Sequence, residues 1–432
     1  MTARGEASRF ETLPYGVGRL TGGWALLVVA LLALVGWGAY AYSCQFVEGK
    51  VVTGMRNIGT MGGATWGLYI AFNVYFAGVA CAGITVAALI RLLNLNALRA
   101  VARMAELLTV ITLILGAFSV LADLGQPLRA LINLPLYARP QSPFFGTFTL
   151  AIAGFLFDSL VYLYLAGRRD AYLMARYDTP LRPLYRAWAA GYRDTPAERE
   201  RHRKTTFWLA IAIIPLFITA HSTLGLVFGL QVGRPGWYSA LQTPAFVVLA
   251  GVSGVGLLLV IAAILRGYLR EEQRLGTGVF RWLGAFLLVL TLAYLYFVVV
   301  KVLTGFYAGH HHEQQLTQLL LWGAYAPVFW GSVLLLALPA GLLLLQAITG
   351  RWNIPALVAC GVMVNLAAIG KRYLIVVPSQ THMSLLPYGP GFYAPTWVEY
   401  SIIVGLFALG ALLYALFVKV FPIMDVPEEG VR

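Results

Sequence analysis

Charged residues are scarce. They make up 11% of the 432 residues, against about 25% in an ordinary soluble domain, too few to clothe a water-facing core. That shortage excludes a soluble multidomain protein, and an apolar content of 59% excludes a disordered chain or a nucleic-acid-binding domain. Cysteine is almost absent. Cys44, Cys81 and Cys360 are too few for a disulfide scaffold and too scattered to hold an iron–sulfur cluster, and no CxxCH stands ready for c-type haem. Of six histidines only His221 falls inside an apolar run, so a bis-histidine haem has no second ligand. His310, His311, His312 and Glu313 point in different directions and read as a solvated loop; no metal site is expected.

What the chain has is apolar length. A helix needs about 20 apolar residues to cross the hydrocarbon layer, and ten runs qualify: Gly22–Cys44, Thr65–Leu92, Met104–Asp123, Phe144–Gly167, Thr205–Gly229, Gln242–Arg266, Phe280–Lys301, Leu321–Gln346, Ile354–Tyr373 and Trp397–Lys419. They are continuous rather than alternating, which excludes a β-barrel. Ten spans return both termini to one side. With this division 23 of the 31 basic residues lie on the side of the termini and 8 on the other. The positive-inside rule then places both termini in the cytoplasm. The expected site is a bacterial inner membrane. The first run is longer than a signal peptide's, and Glu6 and Glu11 precede it, so it reads as an uncleaved helix. Phe10–Leu20 is expected along the membrane surface. The 168–204 segment is a basic cytoplasmic loop suited to anionic lipid.

A faint repeat relates Ala77-Gly78-Val79-Ala80-Cys81-Ala82-Gly83 to Ala250-Gly251-Val252-Ser253-Gly254-Val255-Gly256. Four spans separate the two, so the repeat is parallel. Small residues packing helices closely would produce the same pattern. The expected fold is an all-α integral membrane protein with ten transmembrane helices. Two four-helix bundles, spans 2–5 (65–229) and spans 6–9 (242–375), are flanked by spans 1 and 10.

An ionisable group inside a bilayer costs at least ~2.5–3.5 kcal/mol, so each is a functional candidate. Spans three to five carry Glu106, Asp123, Asp158 and His221, and span two adds the polar Asn73. At ~1.5 Å rise per residue, Asn73 and His221 lie roughly 12 Å below the outer surface and Asp158 about 20 Å below it. Asp123 sits at the outer rim and Glu106 near the inner face. Together they form a ladder suited to moving protons. Glu106 is expected to pair with Arg103 or Arg99, and Asp123 with Arg129. Spans six to nine hold no acid; they offer Asn365, tyrosines, and Lys301, Lys371 and Arg372 at outer helix ends. Trp66, Tyr69, Trp237, Tyr238, Tyr388, Tyr393 and Trp397 gather at outer ends as an aromatic belt would.

Several segments carry a resemblance. They are Trp66-Gly67-Leu68-Tyr69-Ile70-Ala71-Phe72-Asn73, Ala122-Asp123-Leu124-Gly125-Gln126-Pro127-Leu128-Arg129, His221-Ser222 followed by Pro235-Gly236-Trp237-Tyr238-Ser239, Arg372-Tyr373-Leu374-Ile375-Val376-Val377-Pro378, and Pro395-Thr396-Trp397-Val398-Glu399. In this order the chain resembles the ten-helix branch of the NrfD-type, polysulfide-reductase membrane-subunit family. The resemblance implies a quinone pocket, for menaquinone or a related exchangeable quinone, in the first bundle near the outer face. It implies a ferredoxin-like iron–sulfur partner on the periplasmic face, in a complex with a molybdopterin or cytochrome c subunit. Asp123 and His221 match the family's motif positions, and Asn73 stands where many relatives carry an acid. The expected mechanism has His221 and Asp123 at the quinone oxygens and Asp158 and Glu106 relaying protons inward. Tyr69, Phe72 and Trp237 would wall the ring, with Asn73 and Arg129 beside it. A proton-coupled transporter and a passive anchor for redox subunits are the alternatives.

Overall fold

The computed structural model describes residues 13–55, 64–137, 139, 141, 148–307, 309–382 and 391–426. Arg4, Glu6, Arg9, Glu11, Arg56, Phe144, Tyr388 and Arg432 lie outside them. The helices are α1 (Gly22–Glu48), α2 (Leu68–Leu92), α3 (Arg99–Asp123), α4 (Pro127–Tyr137), α5 (Phe148–Met174), α6 (Arg182–Ala189), α7 (Pro196–Gly229), α8 (Gln242–Leu269), α9 (Thr277–Tyr307), α10 (His311–Leu321), α11 (Ala326–Thr349), α12 (Ile354–Val376), α13 (Pro378–Thr381) and α14 (Trp397–Val420). Among the described residues there is no strand, and ten helices are long and apolar enough to cross a membrane. All ten expected runs become such helices. The short α4, α6, α10 and α13 had no sequence expectation, being too short or too polar to register as apolar runs.

Local chemistry sets the helix starts. The Thr21 hydroxyl accepts from Trp24 N–H at the head of α1, Thr195 from Glu198 N–H at α7, and Asn353 from Ala356 N–H at α12. Thr396 and Glu399 form a reciprocal capping box at α14.

α2 is the hub. It is buried nearly all round and packs on α3, α7, α8 and α12. The repeated small-residue runs turn out to be each other's neighbours. A Cβ on Gly78 would stand 3.4 Å from Ala250 Cα, and one on Gly254 would stand 2.9 Å from the Val79 carbonyl and collide with Ala82. Two parallel helices thus approach through small residues four apart on each, which lets their backbones touch. α1 and α14 form a second close pair: a Cβ on Gly38 would lie 2.8 Å from Gly405 Cα. Both flanking spans therefore sit together, and α14 also packs on α3 and α2.

The first and last described segments meet. Gly18 N–H donates to the Lys419 carbonyl at 3.0 Å, and the Tyr15 hydroxyl donates to the Asp425 carbonyl at 3.0 Å. Burial pushes the Tyr15 phenol up to about 12, against the opposing pull of Arg274, so it stays a donor at neutral pH. Tyr15 and Val17 are buried. Within the expected surface segment, residues 10–12 lie outside the described residues, Tyr15 and Val17 pack on protein, and Gly18, Arg19 and Leu20 are exposed. The basic 168–204 segment is likewise folded down. Tyr185 donates to the Val420 carbonyl at 2.7 Å, Trp188 stacks on Phe421 at 4.3 Å, and Asp194 pairs with Arg199 at 2.9 Å.

Candidate functional site

Asp123 ends α3 on the side of the molecule away from the termini, and it is buried. Its partner is not Arg129. The Lys50 ammonium stands 3.6 Å from Asp123 Oδ1, whereas Arg129 is exposed on α4, facing outward after the turn at Pro127. That distance is an ion pair but not a hydrogen bond, and Oδ1 has no hydrogen-bond partner. Around it Gln45 Nε2 donates to the Ala122 carbonyl at 2.7 Å, and the Tyr69 hydroxyl donates to Gln45 Oε1 at 2.6 Å. A shallow depression of about 380 Å³ opens beside this end of α3, lined by Phe46 and by Gly125, Gln126, Pro127, Leu128 and Arg129.

A second buried acid stands nearby on α14. Glu399 takes the Tyr393 hydroxyl at 2.5 Å on Oε1, and Gly54 N–H at 2.8 Å and Thr396 N–H at 3.0 Å on Oε2. Both its oxygens are committed, so Glu399 fastens loops, while Asp123 Oδ1 has its ion pair to Lys50 but no hydrogen bond. Gln45, Lys50, Tyr393 and Glu399 were missed as site neighbours. Only Glu399 carried a readable signal, the Thr-x-x-Glu of its capping box.

His221 is buried on α7 and faces the second half of the chain. Its Nε2 lies 3.0 Å from the Phe246 carbonyl on α8; a carbonyl only accepts, so Nε2 carries the proton there. Arg372 of α12 donates to the same carbonyl at 3.2 Å and covers the Phe246 ring at 4.2 Å. Arg372 also abuts Gly78 of α2. Gly78 follows Tyr69 by two and a half turns at 3.6 residues per turn, so it faces the opposite side of α2. Arg372 thus approaches from the side away from Tyr69. No hydrogen bond or ion pair among the described residues joins His221 to Asp123, Asn73 or Asp158.

The expected ring wall is dispersed as well. Phe72 packs with Phe76 and with Phe407 of α14 at 5.6 Å, and Asn73 turns toward Gly116 of α3. Trp237 stacks on Trp66 at 5.8 Å and donates to the Ile375 carbonyl. Tyr69, Trp237 and Tyr393 are buried, so they are internal rather than part of an aromatic belt; Tyr238 and Trp397 are exposed as a belt requires.

Toward the termini a second polar group forms. Glu106 pairs with Arg91 at 2.9 Å, not with Arg103 or Arg99. Arg103 instead turns to Asp170, Asp425 and the Pro422 and Met424 carbonyls, holding down the chain's end. The Arg91 guanidinium lies over the Tyr162 ring at 5.1 Å, and Asp158 sits one turn above Tyr162 on α5. Asp158 Oδ2, Ser159 Oγ, the Tyr162 hydroxyl and Glu106 Oε2 all have unspent hydrogen-bonding capacity. The described side chains form no continuous hydrogen-bonded line from Asp123 to Asp158. Among the described residues no group of three or more His, Cys, Asp or Glu could hold a metal.

A ten-span membrane protein with buried acids near both faces of its first half is what the geometry defines. The family model described as polysulphide reductase, NrfD, matches residues 56–384, and the chain belongs to that family. It is 29% identical to a Halobacterium salinarum protein named as a dimethyl sulfoxide reductase membrane subunit, over 96% of this chain and 94% of that one. It is 25% identical to a selenate reductase subunit of Mesobacillus selenatarsenatis, over 93% and 94%. It is 24% identical to the Hdr-like menaquinol oxidoreductase integral membrane subunit of Archaeoglobus fulgidus, over 94% of each. These relatives are subunits of reductase or oxidoreductase complexes.

Proposed function

We propose that this chain is the quinone-interacting membrane subunit of a respiratory oxidoreductase complex, exchanging electrons with an iron–sulfur partner on the face opposite the termini. The observation that carries the reading is Asp123: a buried carboxylate whose Oδ1, paired with Lys50, accepts no hydrogen bond, just ahead in the chain of residues 125–129, which line a depression. A similar chain named as a menaquinol oxidoreductase subunit supports the choice of ligand. A buried acceptor without a hydrogen bond suits a ligand hydroxyl. When bound, a quinone supplies the electron chemistry and the protons that accompany it.

Asp123 Oδ1 accepts or returns a proton there, and Lys50 keeps the carboxylate's charge tolerable in a buried position. Tyr69 and Gln45 hold the end of α3 in place. Asp158, Tyr162 and Glu106 carry protons on toward the termini, their free valences bridged by water. His221 secures the first half to the second through the Phe246 carbonyl. The partner is a ferredoxin-like subunit serving a molybdopterin or cytochrome subunit.

The test is turnover of a soluble quinol analogue by the purified complex. Asp123→Asn should cut it by about a hundredfold, as loss of a proton-transferring group does, with the subunits still co-purifying. Unchanged turnover would sink the assignment of Asp123, and no turnover by the wild-type complex would favour a passive anchor.

A further inference from the structure

The second half of the chain contains a cavity that the reading above does not use. It lies between α8, α9, α10, α11 and α12 on the side away from the termini, and its volume is about 80 Å³. Two lysines line it. Lys301 Nζ donates to the Gly236 carbonyl at 2.8 Å and to Gln242 Oε1 at 3.0 Å. An ammonium has three N–H groups, so one remains. Lys371 is buried, and its ammonium lies 4.0 Å from the centre of the Phe329 ring. Among the described residues it has no hydrogen bond and no carboxylate. Gln242 Nε2 is buried without a partner, because Lys301 holds the other end of that amide. Glu313 also lines the cavity, with Oε2 occupied by Gly236 N–H at 2.7 Å.

Three of the unspent groups here are donors, and two of those three carry positive charge; Glu313 Oε1 and the Tyr294 hydroxyl also lack a hydrogen bond among the described residues. One carboxylate cannot balance two ammoniums, and a buried unpaired charge is costly. A neutral carbonyl would satisfy a donor but leave the charge. Anionic oxygens satisfy both. The volume holds roughly five to eight waters at 10–15 Å³ each, which fits a head group and not a whole lipid. Apart from Tyr294 and Thr317 its remaining lining is apolar, and Phe297, Val298, Val302 and Leu320 are only half-buried, so a hydrocarbon chain can leave between them.

We propose that this cavity binds the phosphate of an anionic lipid, with the phosphate between Lys371, Lys301 and Gln242 and the acyl chains running out past α9 and α10. The full chain, purified in neutral detergent, is titrated with dioctanoyl phosphatidylglycerol, dioctanoyl phosphatidylcholine, inorganic phosphate or menadione, and thermal unfolding is followed. Phosphatidylglycerol should bind at least about tenfold more tightly than phosphatidylcholine, whose choline ammonium would bring a further positive charge up to the two lysines. Lys371→Gln should erase that preference, Lys371→Arg should keep it, and Arg281→Gln on the opposite face should leave it unchanged. Leu320→Trp, which plugs the mouth without removing charge, should erase it too and guards against a misfolded Lys371→Gln. Equal binding of the two lipids, or a preference that survives both Lys371→Gln and Leu320→Trp, overturns the proposal. Stabilisation by inorganic phosphate equal to that by phosphatidylglycerol overturns the lipid assignment. Displacement of phosphatidylglycerol by menadione assigns the cavity to a neutral quinone instead.

Discussion

The two halves of the molecule share a helical scaffold and differ in their buried charges. In the first half, Asp123, Glu106 and Asp158 are carboxylates on α3 and α5, and two of them stand beside a cation. In the second half, Lys301, Lys371 and Arg372 are cations on α9 and α12, held by carbonyls, an amide and rings. Spans six to nine contain no acidic residue at all. An acid with a free oxygen can take and release a proton; a lysine with free N–H groups attracts and holds an anion. The contrast teaches that like helices can be given interiors of opposite charge by changing a few side chains.

The largest expected effect breaks the comparison by separating the halves. Gly254→Leu drives a side chain into α2 at Val79 and Ala82. Because the obstruction includes backbone, it should cost at least about 3 kcal/mol, read as a lower unfolding midpoint and poor yield. Asp123→Asn comes next, with quinol turnover down by about a hundredfold, while Lys371→Gln leaves turnover near wild type; equal losses in both would erase the functional distinction. Glu399→Gln should destabilise by about 1.5–3 kcal/mol through loss of charge-assisted bonds but change turnover little. A turnover loss as large as that of Asp123→Asn would make Glu399 part of the reacting group. The smallest effect is His221→Phe, which removes one hydrogen bond at a cost of about 1 kcal/mol, measured by thermal unfolding of the intact protein.

The ten spans were legible because crossing a membrane is a matter of apolar length, which a sequence displays directly. So was the position of Asp123, an acid at the end of an oily run. Its partner was not. Hydropathy gives a helix's length but not its rotation, and Lys50 reaches Asp123 only because the segment after α1 folds back over the end of α3. The same ignorance of rotation assigned Glu106 to Arg103 or Arg99 rather than Arg91. Lys371 and Arg372 were placed at an exposed helix end because charge usually marks one. Arg372 is buried because an aromatic face and a carbonyl receive it, and neither acceptor announces itself in sequence. The repeat was visible, but that its two copies lie against each other followed only from the fold.

The pairing of α1 with α14 has a consequence for how the chain is made. Gly38 and Gly405 touch, yet they stand 367 positions apart in the chain. At synthesis rates of ~5–20 residues per second, the first helix waits roughly 20–70 s in the bilayer before its mate emerges. During that interval its small-residue face is open to any passing helix. Completion of the last span is therefore the moment at which the newborn protein stops being available for wrong associations.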